Sequence, residues 1–192
     1  MTVLRQHNIK IQKGKITLRP MTEEDWEILL KWNSDPEVLY YSEGDNVTAY
    51  TLEQVRRIYR GISQNAFCFI IEVDGKPVGE CWLQRMNLKR ILEKYPRLDC
   101  RRIDLMIGEK QFWRRGIGHK VIRILTEFGF LKENADIIFA CDIADYNIGS
   151  HKAFRKVGFE IDMKIEQPPN HKAHCCYDLV LTKEKFSKMR GY

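Results

Sequence analysis

Two glycines, Gly116 and Gly118, stand in the run Arg114-Arg115-Gly116-Ile117-Gly118-His119, at the head of a long helical stripe of apolar residues. Glycine lets a backbone approach a ligand closely, and the first turn of a helix leaves its N–H groups unpaired and pointing outward. Together with the helix dipole they make an anion site. Lys110, Arg114, Arg115, His119, Lys120 and Arg123 all fall within fourteen residues there. A charge cluster is ordinarily a solvated face; beside two glycines at a helix start it reads as a phosphate cradle. The run lacks both the GxxxxGK[ST] of a nucleotide triphosphatase and the full GxGxxG of a dinucleotide fold, so those readings fall.

A second cluster, His171, His174, Cys175 and Cys176, follows the turn Pro168-Pro169-Asn170. It reads as hairpin residues ahead of a zinc site, and no metal is expected. The six cysteines (Cys68, Cys81, Cys100, Cys141, Cys175, Cys176) show no CxxC pair, and four of them sit inside apolar or strand-like stretches, where a reduced thiol acts as a small hydrophobe.

The chain that carries these groups has 192 residues, 44% hydrophobic and 30% charged, with a net charge of +6. Those values exclude a disordered or collagen-like chain. No apolar run approaches the roughly 20 residues of a membrane helix, and residues 1–15 carry no apolar export core, so a cytoplasmic location is expected. The length suits one domain, 15–192, behind a basic lead-in at 1–14. The modest charge does not by itself call for nucleic acid.

Local signals give the elements. Ile16 to Arg19 alternates as a strand stopping at Pro20. Thr22 with Asp25, and Thr51 with Gln54, are helix-capping pairs, and Asp35-Pro36 starts a short helix carrying Tyr40 and Tyr41. A polar loop, 42–50, lies between the last two. Phe67–Val73 and Val78–Met86 flank an Asp-Gly turn as a hairpin, followed by a short amphipathic insertion over 88–95. A strand over Cys100–Ile107, a helix over 116–132 and a strand over Ile137–Ile143 form a β-α-β core. A helix over 147–157 ends at Gly158, and two strands close the chain. The class is α+β (mixed α/β).

The loop at 114–119, with Asn147-Ile148-Gly149-Ser150-His151-Lys152-Ala153-Phe154-Arg155-Lys156-Val157-Gly158-Phe159 downstream, resembles the GCN5-related N-acetyltransferases. The pattern shared is a strand, an [RQ]xxGx[GA] loop at a helix start, a second strand, then NxxxxxxYxKxGF. The resemblance covers about residues 15 to 182. It implies a central twisted, mostly antiparallel sheet with helices on both faces. It also implies acetyl-CoA as the donor, with Met106 and Ile107 giving main-chain contacts to its pantetheine arm. Arg114, Arg115, Gly116, Ile117, Gly118 and His119 would cradle the pyrophosphate, with Asn147 and Phe154 further along the cofactor. Trp113 stands where the family usually has Arg or Gln. Phe154 stands where many members place the tyrosine that protonates the leaving thiolate. Phenylalanine has no proton to give, which leaves Tyr146 or water for that task.

Within the family the likeness is to aminoglycoside 6'-N-acetyltransferases. It is carried by Ile16 to Glu23, the pair Tyr40-Tyr41, and Arg102-Ile103-Asp104 with eleven residues between Asp104 and Gly116. Asp142, before Asn147, matches a second acidic position. The resemblance thus implies Asp104 and Asp142 as catalytic and amine-binding acids, and Tyr40 and Tyr41 as an acceptor platform or core. An ammonium must lose a proton before it can attack a thioester. A carboxylate beside it binds the cation and then takes or relays that proton. The other reading of Asp104 is a structural acid paired with Arg101 or Arg102. Glu37, Glu43, Asp45, Glu80 and Asp99 could widen an acidic pocket, and the first reading of each is surface.

The expected function is therefore acetyl transfer from acetyl-CoA to a primary amine of a small polycationic acceptor, by direct attack in a ternary complex. The aminoglycoside 6'-amine, a target that would matter for antibiotic resistance, is one such group. No cysteine adjoins a base, so no acetyl-enzyme is expected. Rival readings are acetylation of a protein N-terminus, a lysine or a siderophore precursor, or a non-catalytic domain binding CoA or nucleic acid. Membrane and nucleic-acid partners are not expected, and the chain would be a monomer or a homodimer.

Overall fold

A computed structural model describes residues 2–43 and 47–191 of the chain; Asp45, read above as a surface acid, lies outside them. Eight strands form one mixed sheet in the order β1-β2-β3-β4-β5-β6-β8-β7. They are β1 (Ile11–Lys13), β2 (Ile16–Pro20), β3 (Ala66–Val73), β4 (Lys76–Arg85), β5 (Cys100–Met106), β6 (Ile137–Ala144), β7 (Glu160–Glu166) and β8 (Cys175–Thr182). The helices are α1 (Trp26–Trp32), α2 (Pro36–Ser42), α3 (Leu52–Ser63), α4 (Lys89–Lys94), α5 (Ile117–Leu131), α6 (Ile148–Val157) and α7 (Lys183–Met189). The β1/β2, β2/β3, β6/β8 and β7/β8 ladders are antiparallel, and β5/β6 is parallel, as a β-α-β unit requires.

The local chemistry works as its residue types dictate. Thr22 and Thr51 each accept from the backbone of the turn they open, while Asp25 and Gln54 reach back to the cap N–H. Each such box is worth about 1 kcal/mol. Asp35 caps α2 with Pro36 at its first position. Asp74 (φ 50°) and Gly75 (φ 76°) are both left-handed, the geometry that a two-residue hairpin turn needs. Gly158 (φ 108°) ends α6.

Two elements go beyond the sequence expectation. Ile11–Lys13 of the basic lead-in pairs with β2, and Lys183–Met189 forms a last helix capped by Thr182. Their apolar content is too small to signal them: β1 holds one apolar residue, Ile11, and Phe186 is the buried residue of α7.

The chain packs as two compact units. The first comprises Met1–Trp82, Leu105–Ile117 and Asn170–Lys172. Its core gathers Trp26, Leu29 and Trp32 of α1, Val55 and Tyr59 of α3, and Cys68 and Ile70 of β3. Glu80, read above as surface, is buried there. β4 is covered on both faces along Val78–Cys81, so the usual in–out alternation of a strand does not apply to it. The second unit comprises Leu83–Asp104, Gly118–Pro169 and Ala173–Tyr192. In it Ile91 of α4 packs on Cys100, Ile137, Phe139 and Cys141 of the strands beneath.

Candidate functional site

The segment leading into α5 is shaped by two left-handed residues, Arg114 (φ 60°) and Gly116 (φ 73°), on either side of Arg115. Alternate left-handed residues turn neighbouring N–H groups toward one concavity, and such nests hold anions. No acidic residue occupies the first turn of α5. Burial, with the charges of Lys156, Arg123 and Lys120, holds the His119 imidazole below its ordinary pKa. Arg115 lies 5.5 Å over the Phe112 ring. Lys110 does not join this group: its ammonium is bound by Asp35 and Glu37, each at 2.9 Å.

β5 leads to this loop. Its parallel ladder with β6 runs from Cys100↔Ile137 to Arg102↔Phe139 and stops there, four residues before the end of the strand. Met106 is buried, and the Ile107 carbonyl accepts a 2.6 Å hydrogen bond from the Trp113 indole N–H. The indole thus ties the loop back to the strand end, a use for Trp113 that the motif position did not announce. A Cβ on Gly79 would lie 2.2 Å from the Met106 carbonyl oxygen, so only glycine lets β4 pass that point.

In the same unit Tyr40 and Tyr41 are 46% and 44% exposed, their rings edge-to-face at 5.0 Å, with Trp113 edge-to-face on Tyr41 at 5.7 Å. They form a surface platform rather than core. The Lys172 ammonium stands 3.6 Å from the Tyr40 ring centre and donates to the Tyr40 carbonyl. Its burial there lowers the lysine pKa, against a smaller opposing pull from Glu43.

The second unit assembles the acids. Arg102 grips Asp104 with two hydrogen bonds, Nε to Oδ2 at 2.8 Å and Nη2 to Oδ1 at 2.7 Å. The pairing that the sequence left open for Asp104 is made, and with Arg102; Arg101 turns instead to Asp99, at 2.5 Å. Burial opposes the charge on Arg102, and the pull of Asp104 more than offsets it, so its pKa is raised. Asp142 is built differently. Between Ala140↔Leu179 and Ile143↔Tyr177, two residues of β6 (Cys141, Asp142) oppose the single Asp178 of β8. In this bulge Asp142 takes a left-handed backbone (φ 56°) and a side chain 46% exposed. Its N–H, displaced from the ladder, donates to Asp178 Oδ1 at 3.0 Å. Arg90 of α4 then binds both acids: Nε and Nη2 to the fully buried Asp178 at 2.8 and 2.9 Å, and Nη2 to Asp142 at 2.8 Å. The charges of Asp104, Asp142 and Asp178 all push up the pKa of the buried Cys141 thiol, against the pull of Arg102.

Other expected residues have structural duties. The Asn147 side-chain oxygen caps α6 by accepting from Ser150 N–H at 3.1 Å. Phe154 is buried, edge-to-face with Phe159 at 5.1 Å. Tyr146 packs on Ala144, Ala173 and Cys176. All six cysteines are free and buried; burial pushes Cys68 up to about 12 and Cys176 to about 11. Thiols so raised are poor nucleophiles. Asp178 and Arg90 were not foreseen. The sequence signal for Asp178 is an acid inside the otherwise apolar strand Cys175–Thr182.

Residues 15–160 match the model of the acetyltransferase (GNAT) domain. The chain belongs to the GNAT acetyltransferase family, whose members are N-acetyltransferases. It is 25% identical over 154 residues to the uncharacterised N-acetyltransferase p20 of Bacillus licheniformis, covering 76% of this chain and 79% of that one. It is 22% identical over 182 residues to the aminoglycoside N(6')-acetyltransferase type 1 of Serratia marcescens, covering 92% and 88%. Its fold superposes with a TM-score of 0.77 on AAC(6')-Ib in complex with ribostamycin and coenzyme A, at 22% identity and 92% and 98% coverage. Against the spermidine N-acetyltransferase of Vibrio cholerae with CoA and spermine the TM-score is 0.74, at 13% identity and 91% and 99% coverage.

Proposed function

We propose that the protein transfers the acetyl group of acetyl-CoA to a primary amine of a small polycationic acceptor, the 6'-amine of an aminoglycoside being one candidate. The observation that carries this reading is the acidic cluster of the second unit. Three carboxylates (Asp104, Asp142, Asp178) face two guanidiniums (Arg90, Arg102), which leaves one negative charge in excess. A site with that balance attracts an ammonium and repels an anion. The relatives whose names give an acceptor act on small molecules with several amines.

The donor fits the chain's own features. The left-handed pair before α5 and the surrounding cations suit a pyrophosphate. The edge of β5 beyond Arg102, released from its ladder, suits an extended arm that pairs with backbone groups. In the reaction the acceptor amine, freed of its proton by Asp104, attacks the thioester carbon. The C–S bond then breaks, and the thiolate takes a proton from Tyr146 or from water, Phe154 having none. Asp142 holds the acceptor's charge. Aromatic faces such as those of Tyr40 and Tyr41 suit an ammonium.

Gly118→Glu tests the donor half without harming the fold. Glutamate is the better helix former and favours a helix's first turn, so the melting temperature should hold or rise. The same carboxylate would repel a pyrophosphate, and acetyl-CoA binding by calorimetry should fall below detection. Unchanged affinity would remove the cradle. An acetylation screen over aminoglycosides, polyamines and peptides then fixes the acceptor class, and turnover of peptides alone would sink the small-polycation reading.

A further inference from the structure

The cluster assigned above to the acceptor already holds a cation of its own. Arg90 gives two hydrogen bonds to Asp178, which is fully buried, and only one to Asp142, which is nearly half exposed. The two contacts are unequal in what they would cost to break. Leaving Asp178 would strand a buried charge, whereas leaving Asp142 exposes one carboxylate oxygen to water. Arg90 can therefore surrender Asp142 while keeping its bidentate grip on Asp178. Its helix is fixed independently: Lys94, four residues on and so on the same face, binds Asp162 at 2.7 Å, and Ile91 is buried on the strands. The guanidinium is anchored from behind and presented to Asp142 from the front.

We propose that Arg90 is an affinity-setting residue, an internal cation that occupies Asp142 until an acceptor's ammonium takes its place. The inference rests on the reading of Asp142 as an acceptor-binding acid. Every acceptor held there pays the cost of releasing Arg90, so the site binds more weakly than its carboxylates alone would allow. Weakly basic or poorly placed amines are thereby rejected.

Removing Arg90 alone would leave the buried Asp178 charge with no cation to balance it, so the test is the pair Arg90→Gln with Asp178→Asn. It takes away one positive and one negative charge and preserves the excess of one negative charge, while freeing Asp142. Spermine affinity is read by calorimetry, so that turnover is not required, and acetyl-CoA affinity and melting temperature are measured on the same samples. The double variant should bind spermine roughly fivefold more tightly, the scale of a part-exposed ion pair, with acetyl-CoA affinity unchanged. Adding Asp142→Asn should abolish that gain. Arg90→Lys keeps Asp178 paired with a shorter, single-headed cation. It should show the same direction at smaller size, and it serves if the double variant does not fold.

Unchanged or weaker spermine binding in the double variant, with Asp142→Asn alone still weakening the wild type, would overturn the inference and leave the acceptor reading standing. If Asp142→Asn does not weaken spermine binding, the reading of Asp142 as an acceptor-binding acid fails and takes the inference with it.

Discussion

Asp104 and Asp142 both meet an arginine, yet the two carboxylates are held in place by opposite means. Asp104 sits on a regular strand, and its partner Arg102 is two residues back, on the same face by the period of a strand. Three residues of one chain segment, Arg102 to Asp104, contain the whole arrangement. Asp142 sits on a bulge that exists because Asp178, thirty-six residues away, accepts the N–H that the ladder cannot. Its arginine comes from a helix fifty-two residues earlier and is shared with that buried acid. A carboxylate gripped at both oxygens by its own strand is fixed in position; one on a bulge with a borrowed cation is poised to exchange it. The first suits a proton acceptor that must stay aligned, the second a charge that must receive and release a substrate.

The largest expected effect tests the first half of that contrast. Asp104→Asn keeps shape and part of the hydrogen bonding to Arg102 and removes the charge. Turnover on a verified acceptor should fall by about 10²–10⁴, the range of a lost general base, with acetyl-CoA affinity unchanged. The variant should also lose some stability, below the roughly 3–5 kcal/mol of a fully buried broken pair, because Asp104 is partly exposed. Near-normal turnover in a destabilised protein would make Asp104 a structural acid.

Next in size is stability at the bulge. Asp178→Ala takes from Arg90 its two-bond partner and leaves the Asp142 N–H unmet, and should cost about 2–3 kcal/mol in a urea titration. Asp142→Ala removes only the exposed end of the network and should cost about 1 kcal/mol or less. Equal losses would mean that the two acids are held alike and that the bulge is not built on Asp178.

The same contrast separates what the sequence could show from what it could not. Features fixed within a few residues were legible: the capping pairs at Thr22 and Thr51, the Asp-Gly turn, the Gly158 stop, the long apolar stripe of α5, and Arg102 as a possible partner for Asp104. Features that need distant segments were not. The bulge at Asp142 is invisible in Ile137–Ala144, whose apolar run reads as a plain buried strand. Arg90 reads as one more charge on an amphipathic insertion until α4 is docked on the strands. Glu80 looks like a surface acid until β4 is found covered on both faces. In the first unit it lies near the fully buried Tyr59, whose phenol burial and the Glu80 charge both push up. The pairing of Lys110 with Asp35 and Glu37 likewise removes from the basic cluster a charge that proximity in sequence had placed there.

The smallest effect reads the bulge directly. Cys141 lies within it, nearly buried, and its burial raises the thiol pKa. Arg102 pulls that pKa down, and the charges of Asp178, Asp104 and Asp142 push it further up. At pH 8 the thiol should be almost wholly protonated and shielded, so N-ethylmaleimide should label it only through local opening. Asp178→Asn weakens the carboxylate that closes the bulge. If it makes opening easier by about 1.4 kcal/mol, labelling at Cys141, located by peptide mass spectrometry, should speed up about tenfold. Asp104→Asn removes a charge that also acts on the thiol but leaves the bulge closed, so its labelling rate should stay much nearer the wild type. Both variants lighten the electrostatic load on the thiol; only one unlatches the backbone around it. Matching acceleration in the two would show that charge rather than bulge closure governs Cys141. The distinction between a fixed acid and a latched one would then have to be abandoned.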